Sequence, residues 1–144
     1  MAKTVKKFLS KLQVEDLDGN QWKLLAPLIY QGTTAPSGQA IKTRYIAPKG
    51  FVTDLASIPR FIFWRAKSGN YNESAVLHDA AYSGDLIIEP PYAINRGEAD
   101  NLFRDTMKVL GVGWWTRTVL HRAVRLGGWK SWRAYRHAEQ AKNE

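Results

Sequence analysis

The chain has 144 residues, 44% of them hydrophobic, no cysteine, and a formal net charge of +8. That length and apolar share suit one folded domain with a real core and argue against disorder. Without cysteine there are no disulfides or thiolate metal sites, so any metal must sit on carboxylates, histidine or backbone oxygens.

The opening MAKTVKKFLSKLQVEDLDG is basic but holds no apolar run of the length a secretory signal needs. No stretch approaches the roughly 20 apolar residues of a spanning helix. The expectation is a soluble product, cytoplasmic at synthesis, and not an integral membrane protein.

Within that opening, LQVEDL alternates, Asp18-Gly19-Asn20 is a turn signal, and QWKLLAPLIY resumes, which predicts a hairpin. GTTAPSGQ reads as a loop. AIKTRYIA alternates again, with Ile41, Thr43 and Tyr45 on one face and Lys42 and Arg44 on the other. Pro48-Lys49-Gly50 marks a second turn and FVTDL a short fourth strand. Beyond residue 56 the pattern turns helical. Ser57 can cap a short helix with Pro59 in its first turn. A helix through ESAVLHDAAYSG takes Asn72 or Ser74 as its cap and ends near Gly84. Pro90-Pro91 forbids helix in the connection SGDLIIEPPYAINRG. RGEADNLFRDTMKVLG repeats apolar residues at Leu102, Phe103, Met107 and Leu110 and stops at Gly111. WWTRTVLHRAVRLGG and WKSWRAYRHAEQAK supply two more helices. The fold class is therefore α+β: one domain over residues 1–144, with about four antiparallel strands in 1–56 and a helical half in 57–144.

The segment SAVLHDAAY carries the chemistry. On a helix, His78 and Tyr82 are four residues apart and Asp79 lies beside them, all flanked by small or apolar side chains. Polar groups in such packing must find hydrogen bonds. Antiparallel packing of the next helix brings Asp100, in its first turn, against His78 or Tyr82. An aspartate there can fix the imidazole tautomer and leave the other nitrogen to take a proton from water. It can equally serve as a helix N-terminal acid beside a satisfied core histidine.

The pattern HDAAY followed by INRGEADNLFRDTM, over residues 74–107, resembles the phospholipase A2 helices, above all the cysteine-free domain of parvoviral capsid proteins. That resemblance implies His78 as general base, Tyr82 and Asp100 as its supports, and Asp79 as a calcium ligand. The glycine-rich loop that completes the calcium shell in those enzymes is replaced here by GFVTDLASIPRFIFW. Asp54 is then the candidate second carboxylate on a divalent cation. Asp54 and Ser57 also stand at a strand-to-helix junction, where both residue types favour local capping bonds. Arg60 and Arg96 read as braces for carboxylates. The ordered set GFVTDLASIPR, LHDAAY and an Arg–Ala–Asp–Phe helix, over about residues 45–130, resembles a small family of unknown function from tailed bacteriophages and prophages. It implies a phage origin and no established activity.

The tail GWWTRTVLHRAVRLGGWKSWRAYRH holds four of the six tryptophans, and no acid stands between Trp114 and His137. Val119, Leu120, Ala123, Val124 and Leu126 form an apolar face expected to pack. Trp129, Trp132 and Tyr135 form a stripe expected in the core or at an interface. The surplus of arginine suits an anionic partner, with nucleic acid the weaker expectation.

Two functions fit these residues. One is a small phage hydrolase acting on an ester or amide at the cell envelope, most naturally a phospholipid, with calcium at Asp79 and Asp54. The other is a non-enzymatic virion component of the tail or neck that binds phage structural proteins through its basic, Trp-rich helices.

Overall fold

The computed structural model describes residues 5–33, 41–54 and 71–142. Seven strands and four helices follow one another along these residues: β1 (Lys7–Phe8), β2 (Val14–Leu17), β3 (Gln21–Leu24), β4 (Leu28–Gly32), β5 (Thr43–Ala47), β6 (Val52–Thr53), α1 (Asn72–Ser83), β7 (Ile87–Glu89), α2 (Arg96–Val109), α3 (Trp114–Gly127) and α4 (Trp129–Lys142). The class is α+β, with antiparallel strands first and a helical half after them. The short helix expected at Ser57 lies outside the described residues.

The strands form two sheets, ordered β1-β4-β5-β7 and β2-β3-β6, and every pairing is antiparallel. The expected hairpin is β2 and β3, joined through Asp18-Gly19-Asn20 with Leu17 opposite Gln21. QWKLLAPLIY is not one strand, however. It breaks at Leu25–Pro27, so that β3 and β4 belong to different sheets. Pro27 has no N–H to offer a ladder, and Ser10 ties the break down: its hydroxyl donates to Pro27 O and accepts from Ile29 N. β1 and β7 were not expected from the sequence. Both are too short to show a period, and β7 is followed at once by Pro90-Pro91, yet it extends the edge of β5 with Tyr45 opposite Ile88.

β5 alternates as its sequence requires: Thr43, Tyr45 and Ala47 are buried and Arg44 is exposed. Its buried face meets β4, where Tyr30 stands opposite Tyr45, and Phe8 adds a third ring 5.2 Å from Tyr30. This apolar sheet face receives Val76, Leu77 and Ala80 of α1 and Leu102 of α2, making one cluster from sheet and helices.

α1 is buried continuously from Ser74 to Tyr82. A helix built from Ala, Val and Leu with no charged face can only live inside. Neither Asn72 nor Ser74 caps it. The N-cap position falls on Tyr71 with no side-chain bond, and Gly84 closes the other end in the left-handed conformation, φ 84°. α2 starts on a full capping box: Asn95 accepts from Glu98 N at 2.8 Å, and the Glu98 carboxylate accepts from Asn95 N at 3.1 Å. The Asn-x-x-Glu spacing announces that start in the sequence. No helix among the described residues is long and apolar enough to cross a membrane.

Candidate functional site

α1 lies between α2, β5 and α4. That placement aims His78 and Tyr82, one turn apart, at the first turn of α2. Asp100 meets both: its Oδ1 lies 2.7 Å from His78 Nε2 and accepts from the Tyr82 hydroxyl at 2.6 Å. Its Oδ2 accepts from Arg125 Nη1 of α3 at 2.8 Å and lies 3.5 Å from Arg96 Nη1. One carboxylate thus ties α1, α2 and α3 together. The side chains of His78 and Asp100 are both 0% exposed.

The packing around the ring explains its burial. The His78 ring lies 4.3 Å from Tyr82 and 4.8 Å from Phe103, centroid to centroid. Tyr82 in turn meets Trp132 of α4 edge-on at 5.3 Å. Gly128, at the α3–α4 junction, must lack a side chain here, because a Cβ would stand 2.5 Å from the Tyr82 hydroxyl and from Val124 O.

Electrostatics assign the protonation states. Burial pushes the His78 imidazolium below its ordinary pKa, the Asp100 hydrogen bond opposes this, and the positive charge of Arg96 adds to it. Burial alone would raise the Asp100 carboxyl. The hydrogen bonds from His78, Tyr82 and Arg125 outweigh it and hold the group below the ordinary carboxylate range. The pair is therefore neutral imidazole and carboxylate. An acceptor at Nε2 requires the proton there, which makes Nδ1 the basic nitrogen.

A consequence for acid stability follows. Above about pH 6.5 the ring is neutral folded or unfolded. Below that, the unfolded chain takes up a proton that folded His78 resists, so stability falls with falling pH. Asp100 has the depressed carboxyl pKa. Its contribution is complete above the ordinary value of 3.8 and is lost as pH drops through the folded value. Thermal melts from pH 7.5 to 2.5 should therefore show two stages of decline. His78→Gln should shrink the first without abolishing it, because burial and Arg104 also lower His121. An unchanged profile in His78→Gln would contradict this assignment.

Asp79 is buried too, at the next position of α1. The Thr53 hydroxyl of β6 donates to its Oδ2 at 2.5 Å. Asp54, the following residue, is exposed, since neighbours in extended chain point to opposite sides. Both carboxylates, together with Asp85, lie in electrostatic reach of Tyr135, whose hydroxyl is pushed up to about 12 by burial first and by these acids second. Calcium takes about six to eight oxygens. Among the described residues no group of three or more His, Asp or Glu side chains converges to hold a metal, and Asp79 Oδ2 accepts from Thr53.

Arg96 is the brace expected of it, and it also donates to Val124 O and Arg125 O near the end of α3. Arg125 was not legible as a site residue. In sequence it is one of many arginines in the tail, and only the packing of α3 on α2 carries it to Asp100.

The tail departs from expectation in one respect. On α3, Leu120 and Val124 are buried and Ala123 is half-buried, but Val119 and Leu126 are exposed. α3 rests on α2 and α4 along a narrow stripe, and Val119 and Leu126 lie beyond it. On α4, Trp132 and Tyr135 pack on the cluster of Ala81, Tyr82 and Ala99, whereas Trp129 stays largely outside.

The profile of a family described as Protein of unknown function (DUF1353) matches residues 22–124. No curated protein and no solved structure matches the chain.

Proposed function

The chain belongs to the DUF1353 family, and we propose that it is a non-enzymatic binding component that engages an acidic partner through the basic, Trp-rich surface of α3 and α4. In this reading the His78–Asp100–Tyr82 cluster is an internal brace that holds this surface on the sheet. The observation that carries it is a contrast in exposure: the candidate base is sealed, while Trp115 is 71% and Leu126 80% exposed. A general base must reach the proton it abstracts, directly or through one water. It must also become an imidazolium, and the charge of Asp100 that would stabilise one is already offset by Arg125 and Arg96. The resemblance to the tailed-phage family supports a place in the virion, at the tail or neck, after synthesis in the host cytoplasm.

One observation favours the hydrolase as a second reading. Asp100 holds Nε2 of His78 and the Tyr82 hydroxyl together, the relation that the phospholipase A2 resemblance implies. There Nδ1 would take a proton from water as its oxygen attacks an ester carbonyl, with a phospholipid as the substrate.

Fatty-acid release from phosphatidylglycerol vesicles separates the two. With calcium or with chelator, the wild-type protein and His78→Asn should both stay at background, with circular dichroism confirming that both are folded. Calcium should not raise the melting temperature. Turnover by the wild type that is lost in His78→Asn would overturn the binding reading and establish the enzyme.

A further inference from the structure

We infer that the outer stripe of α3 is a docking surface for an anionic lipid bilayer, an inference that rests on the binding reading and names its partner. At 100° per residue, positions 115, 119, 122 and 126 fall along one side of a helix. Here they are Trp115, Val119, Arg122 and Leu126, all exposed. Trp114 joins them at the N-terminal end, 66% exposed and with its ring 6.4 Å from that of Trp115. The opposite side of the same helix, Leu120 and Val124, is the one packed on α2, in a cluster with Phe103 and Met107. The helix is thus apolar on two sides, and among the described residues only one side has a partner.

Charge indicates what covers the other. No aspartate or glutamate occurs between Asp105 and Glu139; Arg122 lies on the stripe itself, Lys130, Arg133 and Arg136 belong to the adjoining α4, and Arg125 is held by Asp100 on the inner side. Two copies of this chain would bring like charge to like charge across such a face, so the complementary partner is anionic. Among anionic partners, a phosphate backbone has no use for Val119 and Leu126, which would lose water and gain nothing from it. A bilayer uses every member of the stripe. Tryptophan rings sit at the level of the headgroups, aliphatic side chains reach the acyl boundary, and arginine lays its stem along apolar surface while its guanidinium stays with lipid phosphate. The surface is a helix face rather than a pocket, so it fits a lipid plane without a dedicated headgroup site.

Sedimentation with vesicles tests this. The full-length protein should pellet with vesicles of equal parts phosphatidylglycerol and phosphatidylcholine, should stay in solution with phosphatidylcholine alone, and should release at high salt as surface charge is screened. Trp115→Ser combined with Leu126→Ser should weaken that binding by about tenfold or more while leaving the thermal melt close to wild type, because both side chains are exposed. Wild-type binding to a single-stranded oligonucleotide but not to anionic vesicles, equal vesicle binding by the double variant, or no vesicle binding at all would each overturn the bilayer assignment. Those outcomes differ from the one that overturns the binding reading itself, which is lipid turnover dependent on His78.

Discussion

Asp100→Ala should lower the free energy of unfolding by about 3–5 kcal/mol, the cost of removing one partner from a buried charged network. The loss has identifiable parts. His78 Nε2 and the Tyr82 hydroxyl both remain buried and lose their shared acceptor, and a buried donor left unsatisfied costs about 1–3 kcal/mol. Arg125 and Arg96 lose less, since both reach solvent and can turn to water. The two guanidiniums are then left facing each other without the charge between them. Asp100→Asn keeps one acceptor oxygen and should be milder, although its amide hydrogens would face either Arg125 or the pair of donors at Oδ1. Urea unfolding of the three proteins measures this order. A loss below about 1 kcal/mol in Asp100→Ala, the scale of an exposed ion pair, would mean that the cluster does not brace the helices.

Phe103→Ala should cost a similar amount, about 3–5 kcal/mol, by a different mechanism: lost apolar transfer plus the cavity left behind. Phe103 is fully buried, lies against the His78 ring, and belongs to the cluster that joins Tyr71 and Ala75 to Met107, Leu120 and Val124. It is therefore the apolar link between the helices that Asp100 joins by hydrogen bonds. The pH dependence separates the two variants. Phe103→Ala should keep the loss of stability below pH 4 that belongs to the Asp100 carboxyl, whereas Asp100→Ala should remove it. If both variants retain that acid step equally, it arises elsewhere. Because Phe103 and Asp100 both contact His78, the variant carrying both substitutions should not be additive.

The sequence by itself determined the placing of strands before the helical half, the first hairpin, the four long helices and the approach of Asp100 to His78 or Tyr82. Each rests on a local cause: alternation in LQVEDL and TRYIA, a turn at Asp18-Gly19-Asn20, a run of small apolar residues in SAVLHDAAY, and a first-turn aspartate on the helix that packs beside it. The three-dimensional packing decided the rest. β1 and β7 are too short to carry a period and exist because β4 and β5 offer them edges. QWKLLAPLIY divides between two sheets because Ser10 and Pro27 end one ladder before the next begins. The face of α3 that is buried could not be read from its composition, since the helix has apolar residues on two sides and only the position of α2 selects Leu120 and Val124. The same choice brings Arg125 to Asp100 and leaves Trp115 and Leu126 outside. Whether a histidine beside a carboxylate is reachable or sealed depends on what closes over it. At His78 that is Tyr82 from its own helix and Phe103 from the next, with Trp132 of α4 behind Tyr82, a convergence set by packing rather than by sequence spacing.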